Sequence, residues 1–192
     1  MSHSDSLSVL QNSLRDSPII WKGDYPYFIH PKSDGIPRMD ADVLRATRDL
    51  IVEMVDWSKV DLVVSIEAMG LPLLAAVGDA TGKPTVVIRK RQYGMEGEVR
   101  VDVATGYSQS TTYINDIEPG ERILIVDDVI STGGTLEPIL ATLEEMGVIL
   151  QDIVIAIEKG EGRERLAKER PDWPIRTLAR IDIIDGRVEI LR

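Results

Sequence analysis

The chain predicts a doubly wound α/β fold, a parallel sheet with helices on both faces, and three observations carry that expectation. Short, mainly apolar runs at 61–66, 85–88, 123–126 and 153–157 alternate with segments of helical composition. Nothing polar interrupts Ile123 to Val126, which is the pattern of a strand covered on both faces. Glycines and prolines such as Gly82, Pro84, Gly120 and Gly147 punctuate the alternation where strand-helix-strand units need turns.

Taken in order, residues 1–39 hold Pro18, Pro26, Pro31 and Pro37 with Trp21, Tyr25, Tyr27 and Phe28, and read as an irregular but ordered cap. Its aromatics either cover a flat ligand or pack the cap on the core. Asp40 opens a stretch to Trp57 that places Val43, Leu44, Leu50, Ile51, Met54 and Val55 at helical spacing. Asp61 to Ile66 is the first core strand. Leu71 to Ala80 is helical because Pro72 is tolerated in a first turn, and Gly82 and Pro84 end it before the strand Thr85 to Ile88. The pattern repeats with Ile123 to Val126, a helix from Leu136 to Met146 closed by Gly147, and a strand from Ile153 to Ile157. Residues 89–120 differ, being polar and glycine-bearing, with alternating runs at 98–103 and 111–114. They read as a long β-hairpin with a mobile tip. Near the end, Asp185 and Gly186 separate two alternating strands within 181–190, a strong two-residue hairpin signal. The expected organisation is one domain over 1–192, with the cap at 1–39, the core at 40–192 and a lid at about 89–115.

A chain of 192 residues can build one sizeable core. A formal net charge of −10 argues against nonspecific partnership with nucleic acid or an anionic membrane. The absence of cysteine excludes disulfides and thiolate chemistry, and two histidines make a His/Cys zinc site a poor expectation. No apolar stretch reaches the length of a membrane span, and the polar start lacks the order of a signal peptide. The expected location is the cytoplasm, and the acidic surface with few lysines is compatible with a salt-rich one.

The strongest signal is the run Ile123 to Thr135, in which four apolar β-formers lead into Asp127 and Asp128, then a hydroxyl-glycine loop, then a helix start. Ligands of open parallel sheets bind at the carboxyl ends of strands, and Ser131, Thr132, Gly133, Gly134 and Thr135 offer unhindered N–H groups and hydroxyls there. Such a loop suits a phosphate. Two carboxylates beside a phosphate must face something else, such as sugar hydroxyls or a metal, so the implied ligand is a phosphorylated sugar with a free diol. No P-loop and no dinucleotide-binding glycine pattern competes with this reading.

This run resembles the signature of type I phosphoribosyltransferases, which bind 5-phosphoribosyl-1-pyrophosphate (PRPP), and the chain is similar to the archaeal hypoxanthine/adenine members. The resemblance implies that Asp127 and Asp128 hold the ribose hydroxyls, and serve as the catalytic pair, while residues 131 to 135 hold the 5′-phosphate. It implies the type I fold, with the cap as hood and the 89–115 excursion as a lid.

Three further stretches fit the same chemistry, which must neutralise the leaving pyrophosphate and exclude water while the anomeric carbon becomes electron-poor. Glu67, Ala68, Met69 and Gly70 resemble the pyrophosphate loop of adenine enzymes, although Met69 stands where those enzymes commonly carry arginine. Arg89, Lys90 and Arg91 follow a strand directly and match a basic cluster that reaches the pyrophosphate. Lys159 falls where a lysine of 6-oxopurine enzymes donates to the exocyclic oxygen, and Val129 and Ile130 fall beside the base. A fixed ammonium prefers an acceptor oxygen to the amino group of adenine. The bland alternative for Lys159 is a surface lysine paired with Glu158 or Glu161. The lid reads Thr105 to Ser108 where adenine enzymes carry a glutamate near a tyrosine, which leaves Glu96, Glu98 or Asp102 to assist the base.

The resemblance therefore implies Mg²⁺ brought with PRPP, with Asp127 and Asp128 as its candidate protein ligands, a purine acceptor, and a homodimer. The favoured base is hypoxanthine or another 6-oxopurine, with adenine as competitor. A PRPP-sensing regulator of the same fold is the rival class, and it would need a basic stripe or helix-turn-helix that residues 1–39 lack.

Overall fold

A computed structural model describes residues 2–36, 38–104 and 109–191. The chain runs α1 (His3–Arg15), β1 (Ile19–Lys22), β2 (Tyr25–Phe28), α2 (Ala41–Met54), a 3-10 turn at Trp57–Lys59, β3 (Leu62–Ile66), α3 (Leu71–Thr81) and β4 (Thr85–Ile88). It continues with β5 (Val99–Ala104), β6 (Gln109–Ile114), β7 (Arg122–Ile130), α4 (Leu136–Glu145), β8 (Ile149–Lys159), α5 (Gly162–Glu169), β9 (Ile175–Ile184) and β10 (Arg187–Leu191). The central sheet has the order β10-β9-β8-β7-β3-β4 and is parallel throughout except for β10. The β9–β10 hairpin turns through Asp185 and Gly186, both at positive φ, as the sequence predicts.

Alternation along β7 shows why the sheet is covered on both faces. Ile123 and Ile125 pack with Ile139, Leu140 and Leu143 of α4, while Leu124 and Val126 pack with Leu50 and Ile51 of α2 and Leu73 and Val77 of α3. Each of these side chains is fully or almost fully buried, and burial of such a side chain contributes about 1.5–3 kcal/mol. A strand with two buried faces has no polar position to offer, which is why these runs are solidly apolar.

The cap departs from the expectation of irregular structure. It begins with the helix α1, capped by Ser2 and Asp5 in a reciprocal capping box, and its Leu10 and Leu14 are buried against α2. A small antiparallel hairpin, β1–β2, follows and carries Trp21, Tyr25, Tyr27 and Phe28. Pro37 lies outside the described residues.

Two strands are longer than their apolar runs. β7 continues through Asp127 and Asp128 to Ile130 because β8 extends beside it, pairing Asp127 with Ile155 and Ile130 with Glu158. The acids therefore lie inside the last turns of the ladder rather than beyond it. The excursion after β4 forms the separate hairpin β5–β6, whose root is tied to β4 by mutual backbone bonds between Arg89 and Tyr113, at 3.0 and 2.7 Å. Thr105 to Ser108, where a mobile lid tip is expected, lie outside the described residues.

Candidate functional site

The carboxyl ends of β3, β4, β7 and β8 open into a cavity of about 370 Å³. Asp127 to Leu136 form its floor, Ile66 to Met69 one wall, Lys90 and the β6 residues Ser110 and Thr112 another, and Ile155 the back. The cap supplies Tyr25, Tyr27, Phe28, Ser33 and Asp34. Strands separated in sequence deliver these groups to one edge because a parallel sheet aligns all its carboxyl ends.

The two acids are held close by their strand. Asp127 Oδ1 accepts the backbone N–H of Asp128 at 3.0 Å. The Asp127 carboxyl is raised well above the usual range, first by burial and then by the charge of Asp128. The cap brings a cation to them: Lys32 is only 1 % exposed, and burial lowers its pKa while Asp128, Asp127 and Asp34 act in the opposite sense. Asp34 is itself fixed by the Tyr27 hydroxyl at 2.6 Å and the His30 N–H at 2.8 Å. Burial and the Lys32 charge push His30 down to about 3, so it is neutral, with Nε2 at 2.9 Å from the Ser13 hydroxyl.

The loop after β7 turns its carbonyl groups away from the cavity. The Ser131 carbonyl accepts from Gly162 N–H at 2.8 Å, Thr132 from Arg165 at 3.2 Å, Gly133 from Glu137 N–H at 2.9 Å and Gly134 from Ala104 N–H at 3.1 Å. In a planar trans peptide each carbonyl is opposed by the next N–H, so the N–H groups of Thr132, Gly133, Gly134 and Thr135 point away from these carbonyl partners, none of which lines the cavity. That of Gly134 also reaches the Thr132 hydroxyl at 3.3 Å. Gly133 adopts φ +81°, a conformation that favours glycine. The result is a concave set of donors at the start of α4, the geometry of an anion site.

Across the cavity, the Glu67–Ala68 peptide is cis. The Glu67 carboxylate accepts the Lys90 N–H at 2.9 Å and pairs with Arg89 at 3.2 Å. Gly70 sits under this wall, where a Cβ would lie 2.5 Å from Asp127 Oδ1. Met69 is 41 % exposed. The cationic triplet does not act as a block. Lys90 lines the cavity and Arg89 holds Glu67, but Arg91 is exposed beside the Tyr93 ring, 5.9 Å from its centroid, and outside the lining.

Lys159 ends β8 and is 7 % exposed, so it is not a surface lysine, and its Nζ donates to the Pro26 carbonyl 3.9 Å from the centroid of the Tyr25 ring. Glu158 points elsewhere, to Arg163 and Thr177. Lys159 stands behind the cap hairpin rather than in the cavity lining, whereas Val129 and Ile130 line it. The Tyr25 hydroxyl meets Ser131 Oγ at 3.2 Å and so joins hairpin to loop.

Of the lid acids, Glu98 accepts the N–H groups of Tyr93 and Gly94 at 2.9 and 3.0 Å, and Asp102 is engaged by Arg100 and Thr111 at 3.0 and 2.8 Å. Neither they nor Glu96 line the cavity. Lys32, Ser33, Asp34, Ser110 and Thr112 were not legible as site residues, since only the tertiary fold brings them there.

The site's carboxylates are hard oxygen donors suited to Mg²⁺, and among the described residues no three His, Cys, Asp or Glu side chains form a ready-made metal cluster.

The phosphoribosyl transferase domain family matches residues 36–178 of this chain. A hypoxanthine/guanine phosphoribosyltransferase of Methanotorris igneus is 44 % identical over 183 residues, 95 % of this chain and 100 % of that one. One from Methanohalophilus mahii is 46 % identical over 185 residues, 96 % of each chain. Among solved structures, the adenine phosphoribosyltransferase of Rhodothermus marinus superposes with a TM-score of 0.75 at 25 % identity, covering 92 % of this chain and 99 % of that one.

Proposed function

The chain belongs to the phosphoribosyl transferase domain family, and from that premise we propose that it transfers the 5-phosphoribosyl group of PRPP to a purine, giving a nucleoside 5′-monophosphate and pyrophosphate for purine salvage. The observation that carries this reading is the loop 131–135, in which the carbonyls of 131–134 are bonded to groups outside the cavity lining, so that the opposed N–H groups are left toward a cavity floored by paired acids. The loop takes the 5′-phosphate. Asp127 and Asp128 take the ribose 2′- and 3′-hydroxyls, with Lys32 offsetting their charge. Backbone N–H groups at residues 68–70 and the Lys90 side chain take the pyrophosphate, with Arg89 keeping Glu67, whose own N–H is donated to the Ile88 carbonyl at 2.9 Å, in place and Arg91 joining from outside the lining.

A purine fits between the cap rings of Tyr25, Tyr27 and Phe28 and the Val129–Ile130 segment, which hold its plane against C1 of the ribose. Attack by a ring nitrogen at C1 breaks the bond to pyrophosphate, and the shielded cavity keeps water from that carbon. Mg²⁺, when bound, neutralises pyrophosphate charge, with Asp127 and Asp128 the side chains placed to hold it. Hypoxanthine or another 6-oxopurine is the favoured base, on the relatives' names and on Lys159. Adenine is the second reading, favoured by the engagement of Lys159 with Pro26 outside the lining. The proposed unit is one domain over 1–192 with 1–39 as hood and the β5–β6 hairpin as lid. It acts in the cytoplasm, where PRPP, too charged to cross membranes, is available. A homodimer is proposed on family grounds, and no described helix is long and apolar enough to cross a membrane.

The test is a competition assay with Mg²⁺, PRPP and equal hypoxanthine, guanine, xanthine and adenine, reading each nucleotide. A 6-oxopurine nucleotide should dominate. Preference for adenine would establish the second reading, and no nucleotide from any purine would refute both.

A further inference from the structure

The helix α5 lies outside the cavity lining, yet it is built against the back of the phosphate loop. Its first residue, Gly162, donates its N–H to the Ser131 carbonyl at 2.8 Å. A Cβ there would lie 2.2 Å from that oxygen and 2.8 Å from Gly133 N, both backbone atoms. One turn on, Arg165 donates to the Thr132 carbonyl at 3.2 Å and pairs with Glu137 of α4 and Glu169, each at 2.6 Å. Leu166 is fully buried beneath Gly133, where a Cβ would lie 3.0 Å from its Cδ1.

The helix is in turn pinned to the sheet. Glu158, 1 % exposed, accepts from Arg163 at 2.6 Å and from the Thr177 hydroxyl at 3.0 Å, and Arg180 pairs with Glu164 at 2.6 Å. An acid buried in β8 thus fixes a helix that takes hold of two loop carbonyls.

We infer that α5 is the positioning element of the phosphate loop, with Arg165 its principal positioning residue, and this rests on the PRPP reading given above. By drawing the carbonyls of Ser131 and Thr132 backward, Gly162 and Arg165 aim the opposed N–H groups of Thr132 and Gly133 at the ligand's phosphate. Arg165 itself lies outside the cavity lining. Its loss leaves the Thr132 peptide free to rotate, and the site then loses pre-organised donors for the phosphate rather than contacts to the base.

The test compares the full-length protein with Arg165→Ala, using ribose 5-phosphate as a calorimetric probe and steady-state kinetics as a second readout. The dissociation constant for ribose 5-phosphate and the KM for PRPP should each rise about fivefold to tenfold, the scale of one lost charged hydrogen bond at a partly exposed site. The KM for the purine at saturating PRPP should stay within about twofold. Gly162→Ala should act in the same direction and more strongly. Lys168→Ala, an exposed change on the same helix, should do nothing. Unchanged ribose 5-phosphate binding in Arg165→Ala, or equal rises in both KM values, would overturn the inference while leaving the PRPP reading intact. Failure of the unaltered protein to bind ribose 5-phosphate would overturn the PRPP reading, and the inference with it.

Discussion

Replacing Gly134 with alanine separates the steric demand of the 131–135 loop from its backbone conformation. Gly134 is not among the positive-φ residues, so alanine meets no dihedral penalty there. Its Cβ, however, would lie 2.1 Å from the Ala104 carbonyl oxygen of β5. Reaching the 3.4 Å of ordinary contact requires the loop and lid strand to part by about 1.3 Å. The neighbour is backbone, so no rotamer change relieves it, and the 3.1 Å bond from Ala104 N–H to the Gly134 carbonyl is lost with the movement. A misplacement of about 1 Å in a group that positions substrate costs on the order of 10²-fold in rate. Stability should change far less, because one lost hydrogen bond costs about 0.5–1.5 kcal/mol and alanine recovers about 0.4–1 kcal/mol by restricting the unfolded chain. The assay is pyrophosphate release at varied PRPP, beside a thermal melt. A Gly134→Ala variant with kcat/KM within about threefold of the parent would refute the reading that β5 and the 131–135 loop are packed without slack.

Three other substitutions, at Asp127, His30 and Lys159, have distinct expected outcomes. The Asp127 carboxyl is raised in the folded protein, so its stabilising contribution is full at low pH and lost as pH rises through the folded value; Asp127→Asn should therefore raise the melting temperature of the ligand-free protein at pH 7 while raising the KM for PRPP at least about tenfold. A lower melting temperature at pH 7 would contradict this. His30, held neutral down to about 3 against an ordinary 6.5, binds its proton only on unfolding across that window, so stability should fall as pH drops from 6.5 toward 3, at up to about 1.4 kcal/mol per pH unit, and denaturant melts of His30→Gln should show a flatter acid limb. Lys159→Ala should reduce hypoxanthine use more than PRPP binding, and equal use of hypoxanthine by the variant would remove Lys159 from base recognition.

What the chain discloses without coordinates follows the range of the interactions. The core strands are legible because burial on both faces leaves only apolar residues at 123–126 and 153–157. The loop 131–135 is legible because the phosphate-binding role proposed for it needs small and hydroxyl residues in one contiguous string. α1 escapes that reading because its burial depends on two leucines, Leu10 and Leu14, in a polar segment, although Ser2 and Asp5 carry the capping signal. α5 escapes it because only Gly162 and Leu166 are buried among its charged residues. The extension of β7 through its acids depends on β8 as a neighbour, which no local pattern encodes. Lys32 is the clearest case of a nonlocal property: its burial, and its charge facing Asp127 and Asp128, arise only when the cap folds onto the sheet edge.

The acids and loop at the end of β7 are proposed to hold PRPP for transfer to a purine. The most direct measurement of that role is the stoichiometry of nucleotide and pyrophosphate formed from hypoxanthine, PRPP and Mg²⁺, run with the parent chain and with the Asp127→Asn/Asp128→Asn pair. Equimolar inosine 5′-monophosphate and pyrophosphate should form from the parent, with strongly reduced formation of both from the double variant at PRPP concentrations that saturate the parent. Undiminished turnover in the double variant, or pyrophosphate released without nucleotide, would contradict the proposal.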